Sequence, residues 1–313
     1  MAGPTRDASH PDYSSTSASG FIPSIWSGKM IEKLYASTAY AEIANTYYEG
    51  AINNQGDSVQ IRTTPSITIR DYEIGGGLTY EKPTSAKVEL QIDQAKYFAF
   101  ELLDVDKYQA DIKLMDDWSN DAGQGMKIEI DTDINAYAYT EVAAENAGAT
   151  AGVKSGSLNL GSATAPIAIT KANILDVLVD CGTALDEQNV PDDQRWVQLP
   201  PWMNGMLKKS DLRDASIMGD ATSAFRNGKV GNLDRFTVYI SNNLTSAVNA
   251  TTTNMATNII FGHKKALTFA SQMTRMENVD NPNDFGRLVR GLNVFGRKVI
   301  DPNAIGHLYA EHG

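Results

Sequence analysis

The chain has 313 residues, and 38 acidic against 27 basic side chains leave it with a formal charge of −11. That balance argues against a protein built to grip nucleic acid, which needs clustered Lys and Arg, but not against one that encloses it. No run of about 18 apolar residues exists, no export signal opens the chain, and the single cysteine, Cys181, cannot form a disulfide within the chain.

The protein is therefore expected to stay in the cytoplasm where it is made, with length enough for two domains. Residues 1–20 are rich in Ser, Ala, Pro, Asp and Gly with almost nothing apolar, and are expected to be mobile in a lone subunit. From Ser27 to Glu49, Met30, Ile31, Leu34, Tyr35, Ile43 and Tyr47 fall mostly at helical spacings, with Gly50 as a stop.

Gly56 to Leu103 is the most informative stretch. Val59 and Ile61 alternate with Gln60 and Arg62, Ile67 and Ile69 with Thr68 and Arg70, and Val88, Leu90 and Ile92 with Glu89, Gln91 and Asp93. Period-two alternation predicts strands with one apolar face. Between them, Asp71 to Lys87 holds Gly75, Gly76, Gly77 and Pro83 and no regular apolar pattern, so it reads as an exposed tip. A two-stranded ribbon is marginal alone in water, which predicts that this arm lies on another subunit.

From about Asp104 the period changes to 3.6. Ile112, Met115, Trp118, Ala122, Met126, Ile130, Ile134 and Tyr137 share one stripe and predict a long amphipathic helix. Its opposite face carries Asp111, Asp116, Asp117, Asp121, Glu129, Asp131 and Asp133 and is expected to be solvated. Gly123 and Gly125 inside the helix point to a bend, a break or close packing.

Residues 149–164 are Gly-, Ser-, Ala- and Thr-rich and read as a loop or weak hairpin. Then come a helix over Ile174 to Leu185, a strand over Arg195 to Leu199, and a helix from Trp202 to Leu207 for which Pro201 supplies the first turn. Phe236 to Ile240 reads as a strand, followed by a Thr- and Asn-rich loop to Asn258. A short strand, Ile259 to Phe261, and a helix, Lys264 to Gln272, are expected next. Two strands, Thr274 to Val279 and Val294 to Ile300, flank a turn at Asn281-Pro282-Asn283-Asp284.

No catalytic or metal-ligand constellation emerges. His10, His263, His307 and His312 are far apart in sequence and none has a Cys or His partner at ligand spacing. Cys181 follows an apolar run and reads as a buried small hydrophobe rather than a nucleophile. Gly75-Gly76-Gly77 precedes a β-like segment rather than a helix, so it reads as a turn and not a phosphate cradle. Paired acids such as Asp104/Asp106, Asp116/Asp117 and Asp131/Asp133 do not converge on a helix. Neither an enzyme, a cofactor nor a bound metal is expected.

Four phrases carry a resemblance. They are Ile22-Pro23-Ser24-Ile25-Trp26, the return strand Val88 to Gln94, Phe236 to Leu244, and Arg290 to Pro302. With the arm and the helix, they make the chain similar along nearly its whole length to tailed-bacteriophage major capsid proteins of the HK97-like fold. That fold is α+β, and the resemblance implies an N-terminal arm over 1–27, an N-terminal helix and linker over 28–55 and a β-hairpin E-loop over 56–103. It further implies a P-domain spine helix over 104–150, an A-domain over 151–262 and a return to the P-domain over 263–313.

The function implied is self-assembly into pentamers and hexamers of an icosahedral head that encloses double-stranded DNA without sequence-specific binding. It also implies a virion location after assembly in the host cytoplasm and a portal, and it allows a decoration protein. A separate scaffolding protein is expected, since only a short arm precedes the E-loop.

Residues expected at contacts between subunits are Phe21, Ile22 and Trp26 in the arm, and Arg70, Asp71, Tyr72, Glu73, Glu81, Lys82 and Lys87 in the E-loop. Some members of the family crosslink an E-loop lysine to an asparagine of a neighbour. Lys82 and Lys87 stand where such a lysine would be, though the sequence marks no carboxylate to promote the reaction. An encapsulin-type shell around cargo enzymes shares the fold and is the alternative. A β-rich adhesin or fibre protein is disfavoured by the long helix and the absence of repeats.

Overall fold

The computed structural model describes residues 38–47, 58–62, 65, 67–85, 87–103, 114–210, 231–282 and 285–313. The N-terminal arm, most of the helix expected over Ser27 to Glu49, and residues 104–113 with Ile112 lie outside them.

The strands in chain order are β1 (Ser58–Arg62), β2 (Lys87–Gln91), β3 (Gln94–Leu103), β4 (Ile167–Ile169), β5 (Arg195–Leu199), β6 (Asn232–Leu233) and β7 (Phe236–Ile240). They continue with β8 (Ser246–Val248), β9 (Met255–His263), β10 (Leu267–Asp280), β11 (Gly286–Val299) and β12 (Ile305–His312). β1 and β2 form a separate antiparallel ribbon, and β10, β11 and β3 a three-stranded antiparallel sheet. A seven-stranded mixed sheet runs β4-β12-β9-β5-β7-β6, with β8 also paired to β9. Its parallel pairs are β12 with β4 and β5 with β7.

The predicted helices over Ile174–Glu187 and Pro201–Lys209 form, the second with Pro201 at its first turn, where a missing N–H leaves no bond unmade. Arg195 is buried behind the first of them. Its Nη2 donates to the Val190 carbonyl at 2.5 Å, its Nε to that of Pro191 at 2.8 Å, and Asp186 lies 2.9 Å away as counter-ion.

The long helix runs unbroken over Leu114–Ala138. No break occurs at Gly123 and Gly125, and a methyl group at either would meet nothing within 4 Å, so neither is there for close packing. Ile130, Ile134 and Ala138 are buried in the same cluster as Ile259, Phe261, Phe269, Phe295 and Leu308, so this helix lies over both large sheets.

Four further expectations are corrected. The arm is not followed at once by the long helix: β3 intervenes and pairs with β11 along its length. Ile67 to Arg70, read as a strand, is exposed and in no ladder. The Thr- and Asn-rich loop already contains β8 and the start of β9. Lys264 to Gln272, read as a helix, opens β10. Leu267, Thr268, Phe269 and Ala270 are all buried, so the segment is covered on both faces, which a one-sided surface helix would not allow. Asn45 fixes it from the side, donating its N–H to the Leu267 carbonyl at 2.9 Å and accepting from the Phe269 N–H at 3.0 Å.

Candidate assembly surface

The arm is rooted in a small apolar cluster. Ile61 and Leu90 of the ribbon bury their side chains over Ala270 of β10, with Val59, Val88 and Ile300 around them. Burying two such side chains is worth about 1.5–3 kcal/mol each, enough to hold the base of the ribbon. The cross-strand partners Val59↔Leu90 and Ile61↔Val88 place this apolar face on one side.

Beyond the base, every described residue from Ile67 to Ser85 is exposed. Ile69 is 91% exposed, Ile74 95% and Tyr80 87%, and Ile67, Tyr72 and Leu78 are more than half exposed. Little ties the tip to itself. The Thr68 N–H donates to Glu81 Oε1 at 2.7 Å, and the Gly76 N–H to the Glu73 carbonyl at 3.2 Å. Gly75 and Gly77 take positive φ values of 84° and 72°, which closes the turn at the end without strain. Covering half of these apolar side chains with another surface would release on the order of 5 kcal/mol. A patch of this kind marks a contact site.

All the described residues expected at contacts lie on this tip or at its root: Arg70, Asp71, Tyr72, Glu73, Glu81 and Lys82 are on it, and Lys87 opens β2 opposite Arg62. Arg70 lies 3.9 Å from Glu81 within the same subunit, an exposed pair worth about 0–1 kcal/mol. Phe21, Ile22 and Trp26 lie outside the described residues. The expected contact residues did not include the large exposed apolar side chains Ile67, Ile69, Ile74, Leu78 and Tyr80. Their signal was a simple count of large apolar residues within a segment with no core to bury them.

On the three-stranded sheet Met276 stands out to solvent on one face, and Tyr97 and Val279 on the other. Across it, Arg290 donates to Glu277 through Nε at 2.8 Å and Nη2 at 2.5 Å, and Arg275 also pairs with Glu277. The Arg290 hydrogen bond, with Arg275 beside it, holds the Glu277 carboxyl below the usual carboxylate range.

The acidic face of the long helix is not uniformly solvated. Asp131 is fully buried: its Oδ1 accepts from the Ala39 and Tyr40 N–H groups at 3.1 and 2.9 Å, and its Oδ2 from Asn243 Nδ2 at 2.7 Å. Asp133 pairs with Arg297 of β11, whose guanidinium lies 5.0 Å from the centre of the Tyr137 ring. The two carboxylates therefore point to different partners. Among the described residues no three His, Cys, Asp or Glu side chains gather to hold a metal ion, and no helix is long and apolar enough to cross a membrane.

Cys181 is buried, and desolvation pushes its thiol far up, which leaves it unreactive in the folded subunit. Desolvation lowers His263 and takes His307 down to about 4, with His307 Nε2 2.9 Å from Asn258 Oδ1. Because the folded state resists protonating His307, its contribution is complete above the unfolded value near 6.5 and is lost as pH falls towards 4. Subunit stability should drop by on the order of 2–3 kcal/mol across that window from this group. Urea midpoints at pH 7 and pH 4.5 test it, and His307→Gln should flatten the difference; an unchanged slope would refute the assignment.

A family model described as phage capsid protein matches residues 87–307. A structure from Mycobacterium phage Che8 is similar at a TM-score of 0.75 and 25% identity, covering 92% of this chain and 97% of that one. The capsid structure of cyanophage P-SCSP1u aligns at a TM-score of 0.70 and 16% identity over 98% of this chain and 100% of that chain. The capsid of Ralstonia phage GP4 aligns at 0.67 and 12%, over 95% and 97% respectively. No curated protein sequence matches significantly. The α+β architecture, the arm with its uncovered apolar tip and the family match agree: the chain belongs to the phage capsid protein family and is a major capsid protein of the HK97-like fold.

Proposed function

We propose that the subunits join head to tail into pentamers and hexamers, and these into an icosahedral shell around double-stranded DNA. The observation that carries this reading is the E-loop tip: six large apolar side chains between Ile67 and Tyr80, all exposed, beyond the buried base of the arm. Heterologous contacts close into rings when the rotation allows it, and an arm laid across the next subunit is a heterologous contact. Arg70, Asp71, Tyr72, Glu73, Glu81, Lys82 and Lys87 would set its register by ion pairs and ring contacts at the rim, and Phe21, Ile22 and Trp26 would add a second overlap.

On this reading the long helix and the three-stranded sheet belong to the P-domain, and residues 151–262 form the A-domain around the local five- or six-fold axis. The charge of −11 suits an inner wall that repels packaged DNA and lets it slide during filling. Assembly would take place in the host cytoplasm with a separate scaffolding protein and a portal at one vertex, and the shell could carry a decoration protein. No observation favours an encapsulin-type compartment.

Negative-stain electron microscopy of the purified protein, alone and with its neighbouring genes, tests the proposal. Uniform icosahedral shells or ring-shaped capsomers are expected. Compact monomers under both conditions would overturn it.

A further inference from the structure

The root of the arm holds an arrangement of small residues that the fold does not otherwise need. Ala270 of β10 and Gly296 of β11 are cross-strand partners near one end of their ladder, just before its register shifts between Ser271 and Met273. On the opposite face of the same hairpin, Phe269 and Phe295 belong to the main core, with their rings 5.7 Å apart. On the Ala270 face the arm ribbon crosses. Leu90 and Ile61 cover Ala270, and the Gln91 main chain passes over Gly296. A β-carbon at position 296 would lie 2.4 Å from the Gln91 carbonyl oxygen, 3.1 Å from its carbon and 3.2 Å from the Ile92 α-carbon. These are backbone atoms, so no side-chain rotation can make room. Glycine in a strand interior weakens the strand and ordinarily marks a close approach of another backbone, which is what is found here.

We infer that the Ala270–Gly296 pair is the seat that fixes the attitude of the arm on the body, and through it the curvature of the assembled shell. The inference rests on the reading that the arm lies on a neighbouring subunit. A lift of about 1 Å at the seat, the distance needed to bring a 2.4 Å contact to an ordinary van der Waals one, tilts the paired base of the ribbon, Ser58–Arg62 with Lys87–Gln91, against the body. The apolar tip then meets its neighbour at a different angle.

The test is Gly296→Ala, with Gly291→Ala as its control. Gly291 is in the same strand, but a β-carbon there would lie 2.3 Å from the Phe98 ring, a side chain, and would not touch the arm. Purified wild-type, Gly296→Ala and Gly291→Ala proteins are compared for melting temperature and for the yield and diameter of shells. Gly296→Ala should give folded subunits whose yield of wild-type-diameter shells falls at least tenfold, with irregular, open or differently sized particles in their place. Gly291→Ala should give shells of wild-type diameter from whatever fraction folds. Should Gly296→Ala fail to fold, Ala270→Val, whose extra methyls press on the Leu90 side chain instead of on backbone, is measured with the same expectations. Wild-type yield and diameter from the folded seat variant would overturn the inference. Absence of shells from wild-type protein as well would instead overturn the assembly reading.

Discussion

Deleting Tyr72 to Thr84 should leave a subunit that folds and melts as the full chain does but no longer closes into shells. Every residue removed is exposed, and the hydrogen bond and ion pair lost with Glu81 are surface interactions worth about 1 kcal/mol together. Shortening a loop between two already paired strands changes its closure entropy by a similarly small amount. The base cluster of Ile61, Leu90 and Ala270 is untouched. What disappears is the turn at Gly75–Gly77 and most of the large apolar surface, including Ile74, Leu78 and Tyr80. Urea denaturation of the subunit and sedimentation of the assembled material separate the two effects. The expected pattern is an unchanged midpoint with all protein remaining in the slow-sedimenting fraction. Shells of normal size from the shortened chain would rule out an interlocking arm.

The second large effect is on the subunit itself. Asp131→Ala should reduce folding stability by about 3 kcal/mol, with a fall in Tm on the order of 5–10 °C. The buried carboxylate is the acceptor for the Ala39 and Tyr40 N–H groups and for Asn243, and Ser241 Oγ lies 3.5 Å from it. Removing it leaves those donors in a dry site with no acceptor, which is more damaging than losing the hydrogen bonds alone. Asp131→Asn keeps an acceptor oxygen and should lose less than half as much. A loss below about 1 kcal/mol for the alanine variant would mean that water or a shifted backbone replaces the carboxylate.

Elements whose own periodicity agreed with their surroundings were legible in the sequence. The helices over Ile174–Glu187 and Pro201–Lys209 and the strands at Arg195–Leu199 and Phe236–Ile240 carry the pattern and the flanking breakers that their final positions require. Lys264 to Gln272 was misread because Ala266, Leu267 and Ala270 suit a helix locally. Pairing with β11 and with Asn45, both remote in sequence, decides otherwise. Ile67 to Arg70 shows the reverse case: its alternation is that of a strand, yet the lone subunit offers it no ladder.

Asp131 was hidden among the acids of its helix. Asp131, Asn135 and Ala138 lie four and three residues apart, on the same side as Ile134, so the burial of one acid could be read from helical geometry. Its backbone partners at Ala39 and Tyr40 could not. On the arm's tip, charge drew attention to the exposed segment but not to its large apolar side chains.

The inert, fully buried Cys181 has a practical corollary. Because it is the single cysteine and its thiol stays out of reach in the folded subunit, a cysteine placed at Tyr80 or Ile74 would be the chain's one addressable handle. An environment-sensitive dye attached there would move from water to a covered surface when a neighbour docks. Assembly could then be timed from the arm's own side, without waiting for a particle large enough to scatter light.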